Sequence, residues 1–363
     1  MTTKKRQTFI FFRQRLMDWN KYKNSRQMPW KGIKDPYKIW LSEIILQQTR
    51  VEQGRSYYEQ FIKRYPTVTE LAQANDDDVF KLWEGLGYYS RCRNLLATAR
   101  MIMANHGGKF PANYEAILQL KGIGPYTAAA IGSFAFDLPR AVVDGNVYRV
   151  LARYFGIETP SDTTEGKKLF LVLAGECLDE KQPGLYNQAI MDFGATICTP
   201  SNPLCSNCHL NANCTALEKN MVASLPVKTK QLQKRNRWFH YFIIEQNQEV
   251  LVRKRTEKDI WQSLHEFYLV ETDGQQYEDT KAIKLLLKKT LGTGLEVVGV
   301  SEQFNQKLTH QTIYARFIRV ATAAGFLAPE DYFFHPQRKL DLLAFPKTIT
   351  QYLQKESVQA VLF

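Results

Sequence analysis

No run of apolar residues in this chain is long enough to cross a bilayer. No apolar segment near the N-terminus is followed by a small-residue cleavage site, because Phe9–Phe12 is short and runs into charge. Internal repeats and low-complexity segments are missing, and strand-like alternation is scarce before residue 215. These absences predict a cytoplasmic globular protein, nucleoid-associated if the source is bacterial. Cysteine is sparse. Of the six, Cys92 and Cys177 stand alone. In a reducing compartment the other four, clustered, serve a metal more readily than a disulfide. Acidic residues are in deficit, 36 Asp and Glu against 48 Lys and Arg. Such a surplus suits a polyanion such as nucleic acid, although charge alone fits a merely basic soluble protein equally well.

What is present fills 363 residues, enough for two or three domains, and the 44% apolar content supports a true core. Residues 1–218 read as mostly helical, with helical spacing of apolar residues at Ile39–Leu46 and Val79–Trp83. Residues 219–236, with Lys219, Lys228, Lys230, Lys234 and Arg235 around Pro226, read as a basic linker. Strand-like runs follow at Trp238–Ile244, Val250–Val252, Phe267–Val270, Leu295–Val300 and Ile313–Val320. Helices are expected over Lys281–Leu291 and Leu342–Leu353. Residues 237–363 therefore form a small α+β domain.

Four local patterns carry chemistry. Cys198, Cys205, Cys208 and Cys214 are spaced C-x6-C-x2-C-x5-C. Four thiolates so close have few uses besides closing around a metal or cluster, either iron–sulfur or tetrahedral zinc. Leu120-Lys121-Gly122-Ile123-Gly124-Pro125 sits between helical segments. Its glycines allow a tight turn with uncovered N–H groups, able to hold a DNA phosphate at the start of the next helix. Asp144, in Val143-Asp144-Gly145-Asn146, stands at the start of a helix over Val147–Phe155, where the dipole favours an ionised carboxylate. A simple N-cap is the commoner use of such a residue. Glu43 lies between Ile44 and Leu46 on one side and Trp40 and Leu41 on the other. Apolar surroundings raise a carboxyl's pKa toward that of a general acid.

The hairpin, Asp144 and the cysteine loop together resemble the helix-hairpin-helix, Gly/Pro-rich, Asp-containing superfamily of DNA glycosylases. Ser42-Glu43-Ile44-Ile45-Leu46-Gln47-Gln48-Thr49 and Gly85-Leu86-Gly87-Tyr88-Tyr89-Ser90-Arg91 are similar to the adenine glycosylases that act on mispairs with 8-oxoguanine. The resemblance implies a multidomain chain. It places an all-α helix-hairpin-helix domain with a [4Fe–4S] loop at 198–214 ahead of a Nudix-like domain. It also implies that Glu43 protonates adenine N7 and later activates water, and that Asp144 stabilises or captures the oxocarbenium ion. Tyr126 and Asn146 would orient them. Tyr126 stands where bifunctional relatives carry a Schiff-base lysine, which implies a monofunctional enzyme. Arg26, Trp30, Leu46 and Gln188 would line the adenine pocket. Gln48 and Tyr88 would act as wedges, and Thr49 and Leu86 would touch the opposite base. Arg91 and Arg93 would meet phosphates, as would Gly122 and Gly124.

The helix over Lys281–Leu291 offers lysines where active Nudix hydrolases carry glutamates, so this domain should bind and not hydrolyse. A family loop reading Phe-Ser-His probes 8-oxoguanine. Here it reads Leu308, Thr309 and His310, losing the aromatic ring and keeping a hydroxyl. The implied partner is duplex DNA, met as a monomer. An alkali metal at the hairpin carbonyls is left open. Gln359–Phe363 is a weak match to a sliding-clamp peptide, and a frayed terminus is the plainer reading.

Overall fold

The computed structural model describes residues 3–229, 234–274, 280–292, 294–322 and 326–361, with the backbone alone at 3–5, 280 and 357–361. The chain divides into two compact units: residues 1–73 with 94–230, and residues 74–93 with 231–363. None of its described helices is long and apolar enough to cross a membrane.

The first unit is helical. Its core is built by helices Thr3–Tyr22, Gly145–Phe155, Thr164–Cys177 and Pro183–Thr196, which bury Phe12, Leu16, Leu151, Phe170, Tyr186 and Phe193. Trp19 meets Phe193 edge-on at 4.9 Å, a favoured aromatic geometry. Helix Pro36–Leu46 is buried along almost its whole length. Pro36 fits its first turn, where no amide N–H is needed, and Asp35 caps it by accepting from the amides of Tyr37 and Lys38. The helix ends at Leu46, so Gln47, Gln48 and Thr49 lie in the turn beyond it, and Gln48 takes φ 58°.

The stretch read as a linker from residue 219 is anchored at Leu225 and Val227, with Lys219, Asn220, Lys228 and Thr229 left exposed. Leu225 is buried and its carbonyl accepts from Arg153 at 3.1 Å, while the Val227 carbonyl accepts from the Ser161 amide at 3.0 Å. Composition misled because two apolar anchors were enough to hold a basic segment down. Residues 230–233 lie outside the described residues, and the first strand already starts at Arg235.

The second unit holds a mixed sheet of β1 (Arg235–Gln246), β2 (Glu249–Lys254), β3 (His265–Thr272), β4 (Leu295–Val300), β5 (Phe304–Lys307), β6 (Gln311–Thr322) and β7 (Phe333–Pro336). The order is β4-β6-β1-β3-β2-β7, with β5 also on β6 and β1 parallel to β6. Helix Thr280–Leu291 covers one face through Ile283, Leu286 and Leu287 against Phe242, Ile244 and Ile318. Its exposed positions carry the lysines, which is an ordinary amphipathic division. The last helix runs Lys347–Val361, not from Leu342. Residues Gln337–Leu342 form a 3-10 turn instead, and Pro346 disfavours helical backbone in the residue before it. The side chains of Gln359–Phe363, the clamp-peptide match, lie outside the described residues.

Residues 74–93 join this unit through specific bonds. Lys81 donates to the Leu343 carbonyl at 3.0 Å, the Phe345 amide donates to Glu84 at 2.8 Å, and Arg93 donates to the Gln262 carbonyl at 2.7 Å.

Candidate active site and cysteine loop

Helix Pro36–Leu46 and helix Pro125–Phe136 bring Glu43 and Tyr126 together in the first unit. The Tyr126 hydroxyl donates to Glu43 Oε2 at 2.7 Å. Glu43 is 8% exposed. Burial pushes its carboxyl up to about 7, against the Tyr126 hydrogen bond and with added repulsion from Asp144. Burial and the neighbouring carboxylates push the Tyr126 hydroxyl far above its ordinary range, so it stays a donor.

Asp144 does what the Asp-Gly sequence suggests. It caps helix Gly145–Phe155, with Oδ1 accepting from the amides of Asn146 at 2.9 Å and Val147 at 2.8 Å. Oδ2 accepts from the Asn146 side chain at 2.7 Å. Burial raises its pKa above the ordinary aspartate value, opposed by these bonds and by Arg149. The helix terminus alone pointed the other way, so desolvation outweighs it here.

Glu43, Asp144, Tyr126, Asn146, Arg26, Trp30, Leu46 and Gln188 all line one cavity of about 760 Å³, as do Gln48 and Thr49. That volume suits a small-molecule or base-sized guest. Trp30 is fixed edge-on to Tyr58 at 5.2 Å.

The hairpin lies before Tyr126. Gly122 has φ 75°, and a Cβ there would sit 2.7 Å from the Asn94 side chain, so only glycine fits. Gly124 caps helix Pro125–Phe136 and has open space where a Cβ would point.

In the second unit Leu86 is buried, whereas Tyr88 is 40% exposed with φ 48°. Its hydroxyl is hydrogen-bonded to Thr309, so two residues far apart in sequence meet. Leu308, Thr309 and His310 form the β5–β6 turn, closed by the Leu308 amide on the Gln311 carbonyl at 2.8 Å, with His310 exposed. Arg91 does not stand ready for phosphate. It is 7% exposed, lies over the rings of Trp83 and Tyr88, and donates to the Gly87 carbonyl at 3.2 Å. It braces the 85–88 loop. Arg93 is likewise committed to the Gln262 carbonyl.

The four clustered cysteines form no disulfide and line one small cavity of about 30 Å³ in the first unit. Among the described residues no three His, Cys, Asp or Glu side chains converge tightly enough for one metal ion. Sequence reading missed the arginines that anchor this loop. Arg153 donates to the Thr199 carbonyl at 2.7 Å and to Cys198 Sγ at 3.5 Å. Arg149, one turn earlier, donates to the Cys198 carbonyl at 2.6 Å, the Gly194 carbonyl at 2.6 Å and Asn146 Oδ1 at 2.8 Å. Two arginines at i and i+4 on an otherwise apolar helix were the available signal.

Gly194 lets this network close. A Cβ there would lie 2.6 Å from Asn146 Cβ and 3.0 Å from its carbonyl oxygen. Gly194→Ala is expected to cost about 1–3 kcal/mol and to slow the reaction by displacing Asn146 from Asp144. Thermal melting and single-turnover rates check this, and a variant unchanged in both would show the contact to be slack.

Residues 41–173 match the HhH-GPD superfamily of base excision DNA repair proteins, and residues 240–355 match the NUDIX domain. The chain thus joins a helix-hairpin-helix glycosylase domain to a Nudix-like one. It is 34% identical over 310 residues to the adenine DNA glycosylase of Buchnera aphidicola subsp. Baizongia pistaciae, covering 85% of each. It is 41% identical over 218 residues to the adenine DNA glycosylase of Homo sapiens, covering 57% of this chain and 40% of that protein. Among solved structures it is similar to a thermostable thymine-DNA glycosylase at 31% identity and TM-score 0.55, covering 60% of this chain and 99% of the other. An endonuclease III–DNA complex, at 18% identity and TM-score 0.51, shares the fold. The chain belongs to the adenine DNA glycosylases, hydrolases that cut the N-glycosidic bond of adenine in base excision repair.

Proposed function

We propose that the chain removes adenine paired with 8-oxoguanine or guanine in duplex DNA and leaves the strand intact. The observation that carries this reading is Glu43, a buried carboxyl with a pKa of about 7, sharing a cavity with Asp144 at a helix cap. Two carboxyls in unlike environments take unlike roles. Glu43 protonates N7 of an adenine turned out of the duplex, which makes the base a good leaving group. Asp144 stabilises the oxocarbenium ion or captures it. Glu43, now ionised, activates the water that completes hydrolysis. Tyr126 and Asn146 hold the two carboxyls by the bonds described.

In the same reading Arg26, Trp30, Leu46 and Gln188 enclose the base. Gln48 and Tyr88, both in left-handed backbone, are the wedges, and Thr49 and Leu86 meet the opposite base. The open space at Gly124 suits a phosphate on the hairpin, whose carbonyls are the place for an alkali metal. Thr309 gives a hydroxyl to the N7–H and O8 edge of 8-oxoguanine, between Leu308 and His310. The unit of residues 1–73 with 94–230 is the catalytic one, and that of 74–93 with 231–363 reads the lesion. Single-turnover excision from duplexes with adenine opposite 8-oxoguanine, guanine or cytosine tests this. Release in the order 8-oxoguanine, then guanine, then cytosine supports it, and equal rates would sink it.

Cys198, Cys205, Cys208 and Cys214 would hold a [4Fe–4S] cluster. All four line one cavity, and their C-x6-C-x2-C-x5-C spacing holds a single C-x2-C where zinc sites usually pair two, which suits an iron–sulfur cluster better than zinc. The cluster supplies a rigid structural and DNA-docking element and takes no redox part in excision. Metal analysis of anaerobically purified protein is expected to give about four irons per chain with visible charge-transfer absorbance. Cys208→Ser should lose both, together with soluble yield. Stoichiometric zinc would contradict the assignment.

A further inference from the structure

Asp192, on helix Pro183–Thr196, is 0% exposed and plays no part in the chemistry above. Its carboxylate is filled from four sides. Oδ1 accepts from Arg26 at 2.9 Å and from the Gln188 side-chain amide at 3.0 Å. Oδ2 accepts from Lys31 at 2.9 Å and from the Asn24 side-chain amide Nδ2 at 2.9 Å. Two cations and two side-chain amides all donate to this one carboxylate, whose oxygens act only as acceptors here. The NH2 end of Gln188 must therefore face Asp192. The other end of that amide, Oε1, is left for the cavity that Gln188 lines. An amide free to flip would offer either a donor or an acceptor. Asp192 removes that choice.

We propose that Asp192 is a positioning residue that sets base specificity, by fixing Gln188 to present an acceptor that suits a 6-amino purine and repels a 6-oxo purine. The proposal rests on the reading that this cavity takes adenine. Recognition by an oriented buried amide discriminates strongly, because the wrong base leaves like groups facing each other. Arg26, held by the same carboxylate, is fixed in the same step.

The test uses the full chain and two duplexes identical except for adenine or hypoxanthine opposite 8-oxoguanine. Asp192→Asn can donate to Gln188 and lets the amide turn. The ratio of adenine to hypoxanthine single-turnover rates is expected to fall at least about tenfold. A purely structural residue would slow both bases equally or lower the melting temperature with the ratio unchanged, and either result overturns the proposal. Gln188→Met keeps the ion pairs of Asp192 and removes the acceptor, so it decides the matter if Asp192→Asn fails to fold. The same fall in ratio is expected, and an unchanged ratio overturns the proposal. Wild-type protein that releases no base from the adenine duplex sinks the adenine reading itself and the proposal with it. Wild-type protein that works, with variants of unchanged ratio, sinks the proposal alone.

Discussion

Glu43→Gln is expected to slow adenine excision about 10²–10⁴-fold at pH 7 while duplex binding persists, because it removes a general acid and little volume. Glu43 has a pKa of about 7, so at pH 7 about half of the molecules carry the proton. Since the protonated form acts, the wild-type rate should be level below that value and fall as pH rises through it, about tenfold per unit on the alkaline side. In Glu43→Gln the residual rate should not show this limb. The same shift bears on stability. The folded pKa is raised, so the folded state holds a proton that the unfolded chain has lost between pH 4.5 and about 7. Stability therefore declines with rising pH across that window, by about 3 kcal/mol in all. A neutral amide avoids that loss, and Glu43→Gln should melt higher than wild type at pH 8. A variant that is inactive and less stable would instead report a damaged core.

Asp144→Asn is expected to lower single-turnover excision about 10²–10³-fold with the fold intact, by removing a charge aimed at the sugar cation. Asparagine caps helices as well as aspartate, so the bonds from the amides of Asn146 and Val147 survive. The bond from the Asn146 side chain is lost, because two NH2 groups then face each other. The melting temperature should hold or rise at neutral pH, because the buried charge it replaces has a raised pKa. Asp144→Ala should lose about 1 kcal/mol from the missing cap as well as the activity. Asp144 repels the Glu43 carboxylate, so the alkaline limb of the residual activity in Asp144→Asn should move to lower pH. A limb that stays put would mean the two carboxyls do not sense each other.

The residues that sit in compact local patterns were legible. Glu43 in an apolar helix and Asp144 before a glycine at a helix start could be read because their physics is local. The cysteine spacing brought its four side chains to one cavity for the same reason. The hydrogen-bond partners of these residues could not be read. Asp192 gathers Asn24, Arg26 and Lys31 from a loop more than 160 residues away in sequence. A lone aspartate between Met191 and Phe193 was the only hint of a buried charge in need of cations. Arg91 was misjudged because a basic residue after a glycine-rich loop looks free until its ring partners are known. β5 and β7 span four residues each, too few for alternation to register. The association of residues 74–93 with the sheet unit rests on side chain–backbone bonds across more than 160 residues, which no local pattern encodes.

The most direct test of the account is single-turnover reaction of wild-type protein with a duplex holding adenine opposite 8-oxoguanine, scored with and without alkali. Tyr126 stands beside Glu43 and is a phenol that forms no Schiff base, so adenine should be released and strand breaks should appear only after alkali. Breaks without alkali would mean that an amine attacks the sugar and that the roles given to Tyr126 and Asp144 are wrong.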